Sequence, residues 1–240
     1  IQWQNIFQKT ITRINAAVDN VYKHQQNIGN KGISEEFFSM IHQEIPLDKA
    51  FKIPGAKKAV NKEWDQLDDI GAWDFGSVTE KWKVKKRAKD TKTIIHLGTV
   101  RALCHKKNVQ LAEEFWSYKG RVVFRGDIVK DQDGNWAVWN EQGTSTYHLM
   151  AARFVDAIAR SPGMDGEDSD ATGAYTQTVL GEDCPETWIS LPRDRHPASW
   201  YYADGSCKYQ DTVIRLVRNL YGHPMAGLYW DQFCDKCVRK

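Results

Sequence analysis

Three stretches of the chain repeat apolar residues at steps of three or four, the spacing that places side chains on one face of an α-helix. The first, within residues 1–30, is formed by Trp3, Phe7, Ile11, Ile14, Val18 and Val21. The second follows Pro54, ends near Gly71 and is formed by Ala56, Val60, Trp64 and Leu67. The third begins after a capping segment at residues 144–146 and is formed by Leu149, Ala152, Phe154, Val155 and Ile158. A fourth helix is predicted to open at residues 222–224, where Pro224 suits a first helical turn.

Shorter runs rich in β-branched and aromatic residues predict strands. They cover residues 94–104, 119–126, 188–192 and 213–217. Helices and strands follow one another without a βαβ rhythm, so we predict an α+β fold rather than a doubly wound sheet. We divide the chain into an N-terminal helical or linker segment of unknown role, residues 1–50, and one domain, residues 51–240.

The composition is that of a folded protein. Hydrophobic residues make up 41% of the 240 positions and aromatic residues 12%, which excludes a disordered chain. No apolar run approaches the about 20 residues that cross a bilayer, and the first residues lack the features of a secretory signal. Five cysteines, an odd number at irregular spacing, suit a reducing compartment. We therefore expect a cytoplasmic or nuclear protein without a membrane partner.

The net charge is only +2, but the charges are segregated along the chain. Residues 81–130 contain 14 Lys and Arg against 4 acidic residues, whereas residues 161–187 contain 7 acidic residues and no Lys or Arg. Such a division suits a protein that binds a polyanion with one region and a metal ion with another. The alternative is two ordinary solvated faces, which is what charge runs alone usually indicate, and residues 81–89 are alternatively a solvated basic loop.

Common catalytic motifs are missing from the sequence, including phosphate-binding glycine loops, the nucleophile elbow and the His-Glu-x-x-His zinc motif. Cys234 and Cys237 form a lone Cys-x-x-Cys pair, which we assign to one face of a helix because structural zinc needs further ligands. The remaining chemical signal is the acidic segment Asp165–Tyr175. Its carboxylates suit Mg²⁺, although an acidic surface loop has the same composition.

Four motifs, in a shared order, resemble segments of the copia-type retrotransposon reverse transcriptases. Asp170-Ala-Thr-Gly-Ala-Tyr175 resembles their first catalytic motif, in which an Asp is followed five residues later by an aromatic residue. The stretches Arg215–Gly222 and Ala226–Trp230 are similar to their Leu-Tyr-Gly segment. Residues 58–73 are similar to their opening helix, and residues 118–126 to their Tyr-Lys-Ala-Arg-Leu-Val finger strand.

The resemblance covers roughly residues 51–240 and implies the fingers and first palm half of an RNA-directed DNA polymerase, with flanking amphipathic helices. It implies that Asp170 and the carbonyl of Ala171 bind the catalytic Mg²⁺ pair, and that Tyr175 screens the sugar of the incoming dNTP. Finger cations that would meet the triphosphate or the template backbone are Lys119, Arg121 and Arg125. Residues that would contact the RNA/DNA primer-template are Tyr221, Gly222 and Trp230.

The chain also departs from this family. Residues 225–228 replace the family's Gln-Ala-Pro-Arg stretch, and Gly173 replaces an Asn. No aromatic-x-Asp-Asp tetrad follows Trp230, and Asp68-Asp69 lies upstream on a predicted helix. We therefore expect a fragment of a retrotransposon polyprotein, associated with the rest of that polyprotein and inactive alone. The alternative is a non-catalytic nucleic-acid-binding or scaffold module derived from a decayed retroelement.

Overall fold

A computed structural model describes residues 42–139, 149–165, 171–181 and 184–239. These residues fall into two compact units. The larger contains the described residues between 42 and 139 and between 172 and 239, and the smaller contains residues 149–165 and Ala171. The helix predicted within residues 1–30 and the predicted metal ligand Asp170 lie outside the described residues, and the predicted domain boundary at residue 50 stays a prediction.

A six-stranded mixed sheet forms the centre of the larger unit. Its strands are β1 (His42–Ile45), β2 (Trp73–Glu80), β3 (Ile95–Lys107), β4 (Ser117–Phe124), β5 (Glu186–Ser190) and β6 (Thr212–Leu216). The order is β1-β3-β5-β6-β2, and β4 pairs with β3 outside this path. Only β3 and β5 run parallel, and the other pairs are antiparallel. This mixed architecture confirms the α+β class, and the finer polymerase-like description stays a prediction.

The second predicted helix is confirmed as α2 (Pro54–Asp69), which follows the short helix α1 (Leu47–Ala50). Proline occupies its first turn, and all four residues of the predicted apolar stripe are buried. The helix packs so closely on β4 that a Cβ added to Gly120 would lie 2.4 Å from the Ala59 carbonyl oxygen. Only glycine therefore fits at this point of the strand.

Residues 81–89 form a helix and not a loop, and the alternative that their cations are only solvated stays a prediction. Helix α3 (Lys81–Thr91) buries Val84 and Ala88, which are four residues apart and therefore share one face. They join a small apolar cluster with Ile95, Leu97, Trp188 and Val213. Two small apolar residues among many cations give a weak periodic signal, and contact with the sheet supplies the stabilisation that the pattern does not reveal.

The remaining helices match their predicted positions. Helix α4 (Leu149–Ala159) lies in the smaller unit and ends before the predicted stop at residues 161–163. Helix α5 (Ala226–Val238) begins two residues after Pro224 and contains both Cys234 and Cys237, as predicted. Among the helices of the described residues, none has the length and apolar character of a membrane span.

Candidate functional site

A cleft of about 750 Å³ opens in the larger unit beside α2 and β4. One wall is the carboxyl-terminal half of α2, and the opposite wall contains the 3-10 turn Tyr175–Gln177 with its preceding residues. The side chains that line it are mostly polar or charged and include Glu63, Asp69, Arg121, Gln177, Arg218 and Tyr221. Two cations, Arg121 and Arg218, and two carboxylates, Glu63 and Asp69, thus line one open cleft.

Arg121 and Tyr221 line this cleft, and Tyr175, which is not among the lining residues, contacts the Tyr221 ring beside it. The guanidinium carbon of Arg121 lies 5.2 Å from the centre of the Tyr221 ring, a cation–π contact. The rings of Tyr175 and Tyr221 are 4.8 Å apart at 55°. Arg121 Nη1 also donates to Glu63 Oε1 at 3.3 Å, and its side chain remains 32% exposed. The guanidinium is therefore held in place while part of it faces solvent.

The backbone of the Leu-Tyr-Gly segment is fixed against the end of β4. The Phe124 amide donates to the Tyr221 carbonyl at 2.8 Å. Gly222 follows with a φ of +86°, and a Cβ added there would lie 2.2 Å from the Phe124 carbonyl oxygen. The segment can approach β4 this closely only with glycine, which positions the Tyr221 ring beside Arg121.

Arg218 joins the two walls of the cleft. Its Nε donates to the Ile70 carbonyl at 2.8 Å, at the end of α2. Its Nη1 donates to the carbonyls of Thr176 and Gln177 at 3.4 and 3.2 Å. Because three backbone carbonyls use these donors, Arg218 positions the walls, whereas Arg121 is the cation that a ligand can reach.

We expect Arg218→Ala to lower the free energy of unfolding by about 2 kcal/mol, because carbonyls from two segments lose a charged donor. Urea denaturation measures the effect. The matched control is Arg215→Ala, since Arg215 is 56% exposed and its side chain forms, among the described residues, a long ion pair with Glu186 at 3.8 Å. In this control the free energy of unfolding should fall by less than about 1 kcal/mol. Equal losses for both variants would contradict the bridging role.

The other predicted site residues lie apart from this group. Lys119 is on β4 opposite His105, and Arg125 forms an ion pair with Asp127 at 2.7 Å. Trp230 is on α5, where its ring stacks with Phe233 at 5.7 Å. None of the three lines the cleft, although Phe233 does. Their predicted contacts with the triphosphate or the template stay predictions.

The predicted Mg²⁺ site has only one described member, Ala171, which is exposed. Asp170 lies outside the described residues. Within the described ranges, no three His, Cys, Asp or Glu residues are grouped so as to hold a metal ion. Glu63 and Asp69 line the cleft, but Glu63 is paired with Arg121. A carboxylate with a backbone carbonyl is a donor set that suits Mg²⁺, so the expectation depends on Asp170.

A buried group of rings lies on the far side of the Tyr221–β4 junction. His223 lies 5.0 Å from Phe124 and 5.0 Å from Trp139, and His96 lies 4.2 Å from Trp139. Burial lowers the pKa of His96 to about 4 and that of His223 to about 3, where repulsion from His96 contributes. His96 Nδ1 and His223 Nε2 have no hydrogen-bond partner among the described residues. Both imidazoles are therefore neutral at pH 7.

Sequence reasoning missed Glu63, Gln177 and Arg218 as residues of the cleft. Glu63 and Arg218 fall within motifs that carry the family resemblance, but nothing in their spacing shows which side chains face a common space. Glu63 meets Arg121 across 58 positions of sequence. Only the packing of α2 on β4 brings these side chains together.

Comparison of the chain with protein-family models, with curated proteins and with solved structures finds no match.

Proposed function

We propose that the chain carries the fingers and first palm half of a copia-like RNA-directed DNA polymerase, and that the cleft binds the incoming deoxynucleoside triphosphate. The supporting observation is the contact of Arg121 with Tyr221 and of Tyr221 with Tyr175. These residues come from three separate motifs of the resemblance, and motifs that matched by chance would have no reason to contact one another beside one cleft.

Each residue then has a chemical role in phosphoryl transfer, which requires positioning and charge stabilisation from the protein. Arg121 donates to the triphosphate and offsets its charge, and Tyr221 holds the guanidinium in orientation. Tyr175 lies next to the sugar and discriminates against the 2′-hydroxyl. Mg²⁺, when bound by Asp170 and the Ala171 carbonyl, would stabilise negative charge on the phosphates. Glu63 competes with the nucleotide for Arg121.

The proposal extends to the macromolecular partners. An RNA/DNA primer-template lies along the surface that contains Lys119, Arg125, Gly222 and Trp230, and a further part of the polyprotein supplies the second pair of catalytic aspartates. Phosphate contacts of this kind are independent of sequence and weaken with salt.

We expect Arg121→Ala to weaken the binding of a fluorescent dNTP at least about tenfold, because a charged hydrogen bond contributes about 1.5–3 kcal/mol. Fluorescence anisotropy with the 240-residue chain and Mg²⁺ measures the dissociation constant. The matched control is Arg101→Ala, since Arg101 is 52% exposed on β3 and reaches Glu44 at 3.5 Å. Binding to this control should change less than twofold.

Two companion variants sharpen the test. Glu63→Gln removes the competing carboxylate and should tighten dNTP binding, and Tyr175→Ala should reduce the preference for deoxy- over ribonucleotides. Equal dNTP binding by the wild-type chain, Arg121→Ala and Arg101→Ala would contradict the proposal. The scaffold alternative is tested by Asp170→Ala in a longer chain that supplies the second Asp pair, where unchanged primer extension would favour a module over an enzyme.

A further inference from the structure

Helix α3 presents a strongly basic side away from the sheet. Residues 81–92 contain seven Lys and Arg and one acidic residue. Val84 and Ala88 face the core, and Trp82, Lys86 and Lys89 lie at the i, i+4 and i+7 positions that share the other side. Lys83 and Lys85 flank this side, one on each edge. We call Trp82, Lys83, Lys85, Lys86 and Lys89 the basic strip.

Trp82 is 59% exposed although it is among the largest apolar side chains of the unit. The nearest cation over its ring is Lys83 at 5.7 Å. A second exposed tryptophan, Trp136, differs because Lys130 lies 3.1 Å from the centre of its ring. Trp82 therefore offers an indole surface that is available for stacking, at the start of a row of ammonium groups.

The sides of α3 are anchored, so the basic strip is held in a fixed orientation. Lys81 pairs with Asp211 at 2.8 Å, and Arg87 pairs with Glu186 of β5. Lys86 and Lys89 form exposed pairs with Asp90 and Asp133, which are weak in water and easily exchanged. Lys83 and Lys85 have no ion pair among the described residues. These groups remain available for an anionic partner.

We propose that the basic strip binds single-stranded nucleic acid, with a base stacked on Trp82 and the lysines on the phosphates. An 11-residue helix is about 16 Å long, so the basic strip is long enough to follow several phosphates of one strand. Aromatic rings beside a row of cations are the usual means of sequence-independent strand binding. A lipid surface fits less well, because the exposed side has one large apolar residue and the helix buries the others.

The experiment measures binding of a fluorescent oligothymidylate to the 240-residue chain by anisotropy, over a range of salt concentrations. Trp82→Ala should weaken binding about 5- to 150-fold, because stacking of one base contributes about 1–3 kcal/mol. The matched control is Trp136→Ala, which removes a tryptophan that is 60% exposed but covered by Lys130. The oligothymidylate affinity of Trp136→Ala should change less than twofold. Equal losses of affinity in Trp82→Ala and Trp136→Ala overturn the proposal.

The contribution of the lysines is measured separately, by the slope of log affinity against log salt concentration, which depends on the number of phosphate contacts. Lys83→Ala with Lys85→Ala should reduce this slope by about 1.4, about 0.7 for each lost phosphate contact. The control pair, Lys52→Ala with Lys57→Ala, removes two exposed lysines from the α1–α2 region and should leave the slope unchanged. An unchanged slope in the strip variant overturns the proposal.

Two further outcomes distinguish the strip from other sites. The oligothymidylate affinity of Arg121→Ala should stay within about twofold of the wild-type affinity, because Arg121 belongs to the cleft. Loss of oligothymidylate binding in Arg121→Ala but not in Trp82→Ala would instead place the strand in the cleft. Vesicles of anionic lipid serve as the alternative partner. Binding to vesicles that requires Trp82, together with oligothymidylate binding that does not, would replace nucleic acid by a membrane surface. The result is independent of dNTP binding, so either proposal can fail alone.

Discussion

We expect Gly222→Ala to lower the free energy of unfolding by about 3 kcal/mol and to weaken dNTP binding at the cleft. Two costs combine: a side chain at a φ of +86° costs about 1–2 kcal/mol, and overpacking costs about 1–3 kcal/mol. The overlap is with backbone, because the added Cβ lies 2.2 Å from the Phe124 carbonyl oxygen. Relief of this contact must move Tyr221 away from β4. Urea denaturation and dNTP anisotropy measure the two effects.

The control for this prediction is Gly205→Ala. Gly205 has a similar φ of +81°, but nothing lies within 4 Å of an added Cβ. Gly205→Ala therefore introduces backbone strain without overlap. Its free energy of unfolding should fall by about 1–2 kcal/mol, and its dNTP binding should be unchanged. Equal losses of stability in the two variants would show that residues 222 and 124 do not approach so closely. The Tyr221 ring would then not be positioned by this contact.

We expect the second large effect on acidification, through His96 and His223. Both pKa values are lowered in the fold, to about 4 and about 3, against about 6.5 in an unfolded chain. The unfolded state therefore binds more protons below pH 6.5, and stability is lost as the pH falls from 6.5 towards 4. Each pKa unit corresponds to about 1.4 kcal/mol. At pH 5 the two residues together should therefore lower the free energy of unfolding by about 4 kcal/mol. That is a large fraction of the stability of a typical domain.

Urea denaturation between pH 7 and pH 5 checks this prediction. The slope of unfolding free energy against pH should correspond to the uptake of nearly two protons on unfolding. In His223→Gln the slope should correspond to about one proton. Asp131 is the opposing charge near His96 and raises its pKa, but burial has the larger effect. The control, His42→Gln, alters an exposed residue and should leave the slope unchanged. A free energy that stays flat between pH 6.5 and pH 5 would show that the imidazoles are not buried as neutral groups.

The elements that the sequence predicted well have a periodic apolar signal of their own. The stripe of α2, from Ala56 to Leu67, is complete in sequence and completely buried in the structure. The run at residues 94–104 is likewise present as β3, which continues to Lys107. The apolar residues mark one buried face of α2 and a start of β3 that is buried on both faces, so in these segments the pattern of apolar residues is sufficient.

Elements with a weak pattern escaped prediction. Helix α3 has only two buried residues, Val84 and Ala88, and many cations that do not favour burial. Strand β2 (Trp73–Glu80) contains two acidic residues and a glycine, and its pairing with β6 shifts register between Asp74 and Thr79. Both segments are stabilised by neighbours that are distant in sequence. Their identity as helix or strand is decided by tertiary contacts rather than by local preference.

The sequence by itself determined the α+β class, most helices and strands, the segregation of charge and the motifs that resemble a reverse transcriptase. Tertiary structure alone decided that Arg121 and Tyr221 meet at one cleft with Tyr175 against Tyr221, that Arg218 joins the cleft walls, and that Trp82 stays exposed beside a row of lysines. The physical reason is the range of the interactions. Periodicity reports which face of a segment is apolar, but contacts between residues 42 to 148 positions apart depend on how closely those segments pack.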